Sequence, residues 1–424
     1  MIGKIRKIAL VASTTALVAC SAILGLPDAV DDPGFVPPGA DGSVADGTSS
    51  DGTSSDGNPT TDGNTEDGFT PPDGSACPGK NLLTDMANCG ACGFDCTAGV
   101  SCSLGLCTMR EGLKSPVSIR GNASGIYVAV YYADEIIKCA HNGCAAGVTV
   151  LATGTNSPFA IDVREADPHV YWVNDPQTNG TVSRVGTDGG TVEVLAPNEF
   201  FLQNIAVDAT HFYFAGGGGL GRCPLAGCTG GVAELLADDS QGDPQGVALN
   251  DAGRVAWTTY SGNVRSCAKA NCDASVATTS IATNQDTPGP IAIDDTNAYW
   301  SNYGTGSFSG YDPGSGSFKT CALGGTCGAN ANAFATGANK PSDIFIDGGE
   351  LFWVSAGIWN EVDTGAPDGE VWRCQTSNCK ATARKVAGNQ RGPLAIWADK
   401  TAIYWTIRGL GGGIADGAIL KAPR

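Results

Sequence analysis

Residues 157–195 read SPFAIDVREADPHVYWVNDPQTNGTVSRVGTDGGTVEVL. Four short runs of alternating apolar and polar residues stand in this stretch, separated by Pro, Asp, Asn and Gly. Period-two alternation puts successive side chains on opposite faces of a strand, and β-branched and aromatic residues suit that geometry. The stretch therefore predicts four strands joined by tight turns. The same order recurs along the chain. Opening runs ending near Asp are SPFAID, LQNIAVD, PQGVALN, GPIAID, PSDIFID and GPLAIWAD, and aromatic runs follow them: VYWVN, FYFAG, VAWTT, AYWSN, LFWVS and IYWT. A further unit, SPVSIRGNASGIYVAVYY, precedes these and fits more loosely.

Anchored on the last apolar residue of each opening run, the units fall at Ile119, Ile161, Val207, Leu249, Ile293, Ile346 and Ile396. Four short strands in each repeat of about 40–50 residues is the pattern of a propeller blade. The expected fold is all-β: a seven-bladed β-propeller over residues 108–424, with six or eight blades as the alternative counts. The seventh unit, AIYWTIRGLGGGIADGAILKAPR, stops after its third strand. An unpaired blade edge is a liability. The segment GLCTMREG, residues 105–112, has the spacing of a fourth strand and is expected to complete the last blade.

Cysteines punctuate the repeat. IIKCAHNGC, LGRCPLAGC, VRSCAKANC, FKTCALGGTC and VWRCQTSNCK each carry a pair around the turn between the third and fourth strands. In the second unit Val185 and Gly190 hold those positions around an Asp-Gly-Gly turn. A turn can replace a staple but not a metal ligand or redox pair. The pairs are therefore expected to be local disulfides: Cys139–Cys144, Cys223–Cys228, Cys267–Cys272, Cys321–Cys327 and Cys374–Cys379. A block at residues 77–107 adds Cys77, Cys89, Cys92, Cys96, Cys102 and Cys107, paired among themselves in one of fifteen ways. Its cysteine density, with no His, favours a stapled module over a zinc site.

The N-terminus sets the compartment. Lys4, Arg6 and Lys7 precede a short apolar run that ends in Leu17-Val18-Ala19-Cys20. That is too short to span a membrane and has the form of an export signal, residues 1–19. LVAC resembles the bacterial lipobox, which implies lipidation of Cys20; Ser21 after it implies the outer membrane, facing the periplasm or the cell surface. Without Cys20, 16 of the 17 cysteines remain, an even number suited to disulfides in an oxidising compartment. Residues 20–76 follow as a Gly-, Ser- and Asp-rich segment. Between Asp28 and Asp73 stand eleven acidic and no basic residues, in a chain of net charge −18. Such composition predicts a disordered tether spanning roughly 40 Å.

VYWVNDPQTNGTVSRVGTDGGTVEVL, Val170 to Leu195, resembles one repeat of the YWTD propellers of lipoprotein-receptor ectodomains, and the likeness extends more weakly over residues 116–424. Asn174 and Asn302 stand where that family has Asp, and seven units stand where it has six. The whole arrangement also resembles bacterial surface lipoproteins.

Asp162, Asp208, Asp294, Asp347 and Asp399 are read as turn formers between first and second strands. The three histidines, His141, His169 and His211, fall on that same end of the blades. The opposite end carries long second-to-third loops in the last three units, placing Tyr303, Phe308, Tyr311, Trp359, Glu361, Asp363 and Asp368 on one sector of a rim. Long loops on a rigid scaffold commonly carry binding. The reading is a non-enzymatic binding or scaffold module for a protein or glycan. It includes no catalytic residues, cofactor or metal, a membrane partner through the lipid anchor, and no nucleic acid. A hydrolase or lyase with an active site on the rim is the alternative.

Overall fold

The computed structural model describes residues 77–174, 178–238, 242–273, 279–307, 310–358, 367–410 and 413–424. Residues 1–76, with Cys20 and the expected tether, lie outside them. Seven antiparallel sheets form a ring. The inner strands are Pro116–Asn122, Pro158–Val163, Asn204–Val207, Pro244–Leu249, Pro288–Ile293, Pro341–Asp347 and Pro393–Ala398. Each packs on the next, and the seventh packs on the first. The protein is a seven-bladed β-propeller.

The aromatic pair in the second strands explains how the blades stack. Neighbouring residues of a strand face opposite sides of its sheet. Trp172 of blade 2 packs with Tyr127 of blade 1, while Tyr171 packs with Phe214 of blade 3. Trp257 meets Tyr213, Trp353 meets Tyr299, and Trp405 meets Phe352 in the same sense. One residue of each pair fills the junction behind its blade and the other the junction ahead. Five tryptophans are fully buried in this way: Trp172, Trp257, Trp300, Trp353 and Trp405.

Each such tyrosine also reaches the turn beneath it. Asp-x-Thr-x-x-Tyr occurs three times, at Asp208–Tyr213, Asp294–Tyr299 and Asp399–Tyr404. In the middle copy Asp294 Oδ1 accepts the Thr296 N–H (2.7 Å), the Thr296 hydroxyl (2.8 Å) and the Asn297 N–H (2.7 Å), and Oδ2 accepts the Tyr299 hydroxyl (2.9 Å). Burial alone would raise the Asp294 carboxyl, but these hydrogen bonds outweigh it and hold it below the usual range. In blade 6 a phenylalanine replaces the tyrosine, and Asp347 pairs instead with Arg424.

Asp162 departs from the sequence reading. Ile161 pairs with Trp172, but the residues in that register elsewhere are Ile205, Val247, Ile291 and Ile344. Anchoring on the last apolar residue slid units 3 to 6 by two positions, a slip that period-two alternation cannot reveal. Asp162 therefore lies within its strand. Its Oδ2 accepts the Val207 N–H of blade 3 at 2.7 Å. The turn role in blade 2 falls to Asp167, which accepts the His169 N–H (3.0 Å) and the Tyr171 hydroxyl (2.9 Å).

The ring closes between the two ends of the propeller sequence. Leu106–Leu113 pairs antiparallel with Gly417–Pro423 as the fourth strand of blade 7, and the short strand Ser101–Ser103 pairs outside it. The expected module boundary after Cys107 falls inside this strand. The module itself is held by Cys77–Cys92, Cys89–Cys102 and Cys96–Cys107. It covers the junction of blades 7 and 1 at the cysteine-hairpin end. There the buried Lys421 donates to the carbonyls of Asp95 (2.7 Å), His141 (3.1 Å) and Asn142 (3.4 Å). The five hairpin pairs are bonded locally, Cys139–Cys144 through Cys374–Cys379. Each joins the end of a third strand to the segment leading into the fourth.

Candidate functional site

Six of the seven inner strands begin with proline, and in five of them the residue before it has an unusual backbone. Ser115, Ser157, Thr287, Lys340 and Gly392 have φ of 60°, 60°, 52°, 50° and 65°. A residue before proline ordinarily sits in the extended region, and a left-handed conformation costs a non-glycine residue about 1–2 kcal/mol. The conformation aims a carbonyl at the neighbouring loop. Ser115 O accepts the Tyr131 N–H (2.9 Å), Thr287 O that of Tyr303 (3.0 Å), Lys340 O that of Ala356 (2.9 Å) and Gly392 O that of Arg408 (3.0 Å). The second-to-third loops of blades 1, 5, 6 and 7 are thereby pinned at their first residue beside the propeller axis.

Within this ring lies a cavity of about 120 Å³, to which every inner strand contributes. Its wall is polarised. Blades 6 and 7 supply Lys340 and Arg408, while blades 3 and 4, across the axis, supply the amides Gln203, Asn204 and Gln245. Phe159 and Tyr303 flank them. Arg408 is 1% exposed. Burial, together with the positive charge of Arg408, holds the Lys340 ammonium below the usual lysine range, against an opposing pull from Asp368. Among the described residues one carboxylate, Asp343, lines the cavity. It is occupied, for it accepts from Arg120 Nη1 (3.3 Å) and from the N–H groups of Ile396 (3.0 Å) and Ile344 (2.9 Å).

The residues expected on the rim have different fates. Tyr303 lines the cavity. Asp368 turns to the base of its own loop, where it accepts the Ile358 N–H (2.8 Å) and the Asn339 amide (2.9 Å). Gly357 makes room for it, since a Cβ there would come within 2.2 Å of the Asp368 carboxylate. Asp416 clamps the blade 7 loop similarly through the Leu410 N–H (2.9 Å). Tyr311 pairs with Gly306 in a small hairpin of the blade 5 loop. Phe308, Trp359, Glu361 and Asp363 lie outside the described residues. Around the mouth Phe200, Tyr260, Ile358 and Ile414 are exposed.

The sequence reading did not find Lys340, Arg408, Gln203, Asn204 or Gln245. A signal was present. Lys340 occupies the column before the repeat's proline, and Arg408 the column after the aromatic strand. Read down the repeat, both columns ring the axis.

Solved propellers resemble this architecture. The WD40 β-propeller domain of Doa1 superposes with a TM-score of 0.55 at 8% identity, over 74% of this chain and 95% of that one. U3-55K gives 0.55 at 9% identity, over 75% and 98%, and the WD40 repeats of RRP9 give 0.55 at 9%, over 75% and 97%. The likeness is one of fold. No protein-family model matches the chain, and no curated protein matches it in sequence.

Proposed function

We propose that this protein is a lipid-anchored surface module, tethered to the outer membrane through Cys20, whose propeller binds a glycan or protein without transforming it. The observation that carries the binding reading is the polarised axial cavity opening among pinned loops. Concave sites with a few convergent polar groups on a rigid frame are where ligands are held. A hydrolase or lyase using paired carboxylates would need two of them convergent in the cavity. Among the described residues one carboxylate, Asp343, lines it, and it is engaged by Arg120 and two amides. The exposed apolar side chains around the mouth add contact area for a larger partner.

The anchor reading rests on the LVAC ending and the acidic segment after it. The geometry of the described residues is compatible with presentation of the cavity. The cysteine module, through which the chain enters the propeller, sits at the hairpin end, and the cavity opens at the other. The aromatic second strands support the likeness to YWTD propellers. Asn174 Oδ1 accepts the Thr181 N–H of the next strand (2.6 Å), and Asn302 Nδ2 donates to Gln285 Oε1 in the loop before the inner strand (3.1 Å).

The test is a screen of the full chain, made soluble by Cys20→Ala, against glycan and peptide arrays. Saturable binding of an unaltered ligand is expected. Conversion of a bound ligand would favour the enzyme, and silence across both arrays would remove the binding reading.

A further inference from the structure

We infer that the seam where the ring closes is an acid-sensitive latch, in which a proton on His141 releases the blade 1 cysteine hairpin from blade 7 and from the cysteine module. This goes beyond the binding reading and does not depend on it. A column of third-strand cations ties several third-to-fourth turns to the blade before them. Lys138 Nζ donates to the Thr187 carbonyl (3.0 Å), Arg184 Nη1 to that of Leu225 (2.8 Å) and Arg222 Nη1 to that of Lys269 (2.6 Å), each in the next blade. Lys421 is the blade 7 member, for it pairs with Tyr404 as Lys138 pairs with Tyr127. Its ammonium grips the blade 1 hairpin through the carbonyls of His141 and Asn142. The hairpin answers with two N–H groups, Cys144 to the Met109 carbonyl of blade 7 (3.2 Å) and Ala145 to the Ala98 carbonyl of the module (3.0 Å).

This hairpin differs from the others in carrying a histidine. The His141 ring lies against Trp397 and Tyr404 of blade 7, with centroids at 6.0 and 6.1 Å, and its Nε2 is enclosed with no hydrogen-bond partner among the described residues. A neutral ring can leave Nε2 as a bare lone pair. A protonated ring must carry an N–H there, with no acceptor and with the Lys421 charge close by. The carboxylates around it are already engaged. Asp399 accepts the Thr401 N–H (2.7 Å), the Ala402 N–H (2.9 Å) and the Tyr404 hydroxyl (3.0 Å); Glu165 accepts the Ala123 N–H (3.0 Å); Asp95 of the module accepts the Thr97 N–H (2.8 Å). Burial, together with the Lys421 charge, holds the imidazole below the usual histidine range, against opposing pulls from Asp399 and Glu165. The closed seam therefore holds the proton more weakly than an opened one. Closure is favoured in full above about pH 6.5 and progressively less as pH falls below it.

Urea midpoints would mix this response with the opposite one of Asp162, whose carboxyl is raised, so the test is local. Amide hydrogen exchange is followed on the full-length Cys20→Ala chain at about pH 7.5 and about pH 5, as protection factors corrected for the intrinsic rate. The reporters are the Cys144 and Ala145 amides. The control is the Cys327 amide, which makes the same kind of bond to the Ile281 carbonyl of blade 4 (2.8 Å) from a hairpin without histidine. Protection of Cys144 and Ala145 should fall by up to about thirtyfold at the lower pH, while that of Cys327 holds. His141→Phe and His141→Gln should each flatten the response. Constant protection at Cys144 and Ala145, an equal fall at Cys327, or the same fall in both variants would overturn the inference. Should both variants fail to fold, the contrast between Cys144 and Cys327 in the parent chain decides alone.

Discussion

The Asp162 carboxylate of blade 2 accepts the backbone N–H of Val207 in blade 3 at 2.7 Å, and so ties two inner strands side to side. Asp343 does the same for Ile396 between blades 6 and 7, at 3.0 Å. Asp162 keeps some surface as a residue, but its carboxyl is enclosed at the blade junction. Burial raises it from 3.8 to about 6, despite opposing contributions from Arg120, Val207 and Val163.

A proton on Asp162 is therefore bound more tightly in the folded chain than in the unfolded one. Its contribution to stability is full below about pH 4 and is lost as pH rises through 6. In Asp162→Asn this dependence vanishes. From pH 4 to pH 7 the variant should gain up to about 2 kcal/mol relative to wild type, read from urea midpoints. The turn carboxylates act the other way. Asp208, Asp294 and Asp399 are lowered because their hydrogen bonds outweigh burial, so their contribution is present above about pH 4 and lost below it.

Trp300→Ala should cost about 3–5 kcal/mol, since the indole is fully buried between blades 4 and 5. Tyr299→Phe, which removes only the bond to Asp294, should cost about 1–3 kcal/mol. Equal costs by urea denaturation would contradict the division of labour between the two faces of the strand.

Replacing Cys374 and Cys379 by Val and Gly, as the second unit has at those positions, should leave the fold intact and cost about 2 kcal/mol. Non-reducing peptide mapping of the wild type should show the local pair. A cross-blade linkage would break the register on which the mouth and the hairpin end are assigned.

Cys20→Ala should move the protein from the membrane fraction to the soluble fraction. An unchanged distribution would end the lipoprotein proposal.

Much of the ring was legible because its cause is local. Strand alternation, the aromatic pair and the cysteine turns each lie within a few residues, and they mark every blade. The closing strand was legible by subtraction, as a blade one strand short and a strand without a blade. Register was not. Ile205 and Val207 are equally apolar and point the same way, so only the partner strand decides which faces Phe214. The cavity was harder still. Lys340, Arg408 and Gln245 come from three blades far apart in sequence, and their convergence is a property of closure rather than of any segment. The long loops drew attention by length, yet Asp368 within them serves its own backbone.

Closure has a consequence for how the chain must mature. Leu106–Leu113 is the first propeller strand to be made, and its partner Gly417–Pro423 is the last. Through Cys96–Cys107 the early strand is already clamped to its small module, which can fold and oxidise while the blades are still emerging. The strand then waits, presented by a finished base, until the far end of the chain arrives. Until then the propeller is an open ribbon of blades, and the axial cavity comes into being only at the final act of pairing.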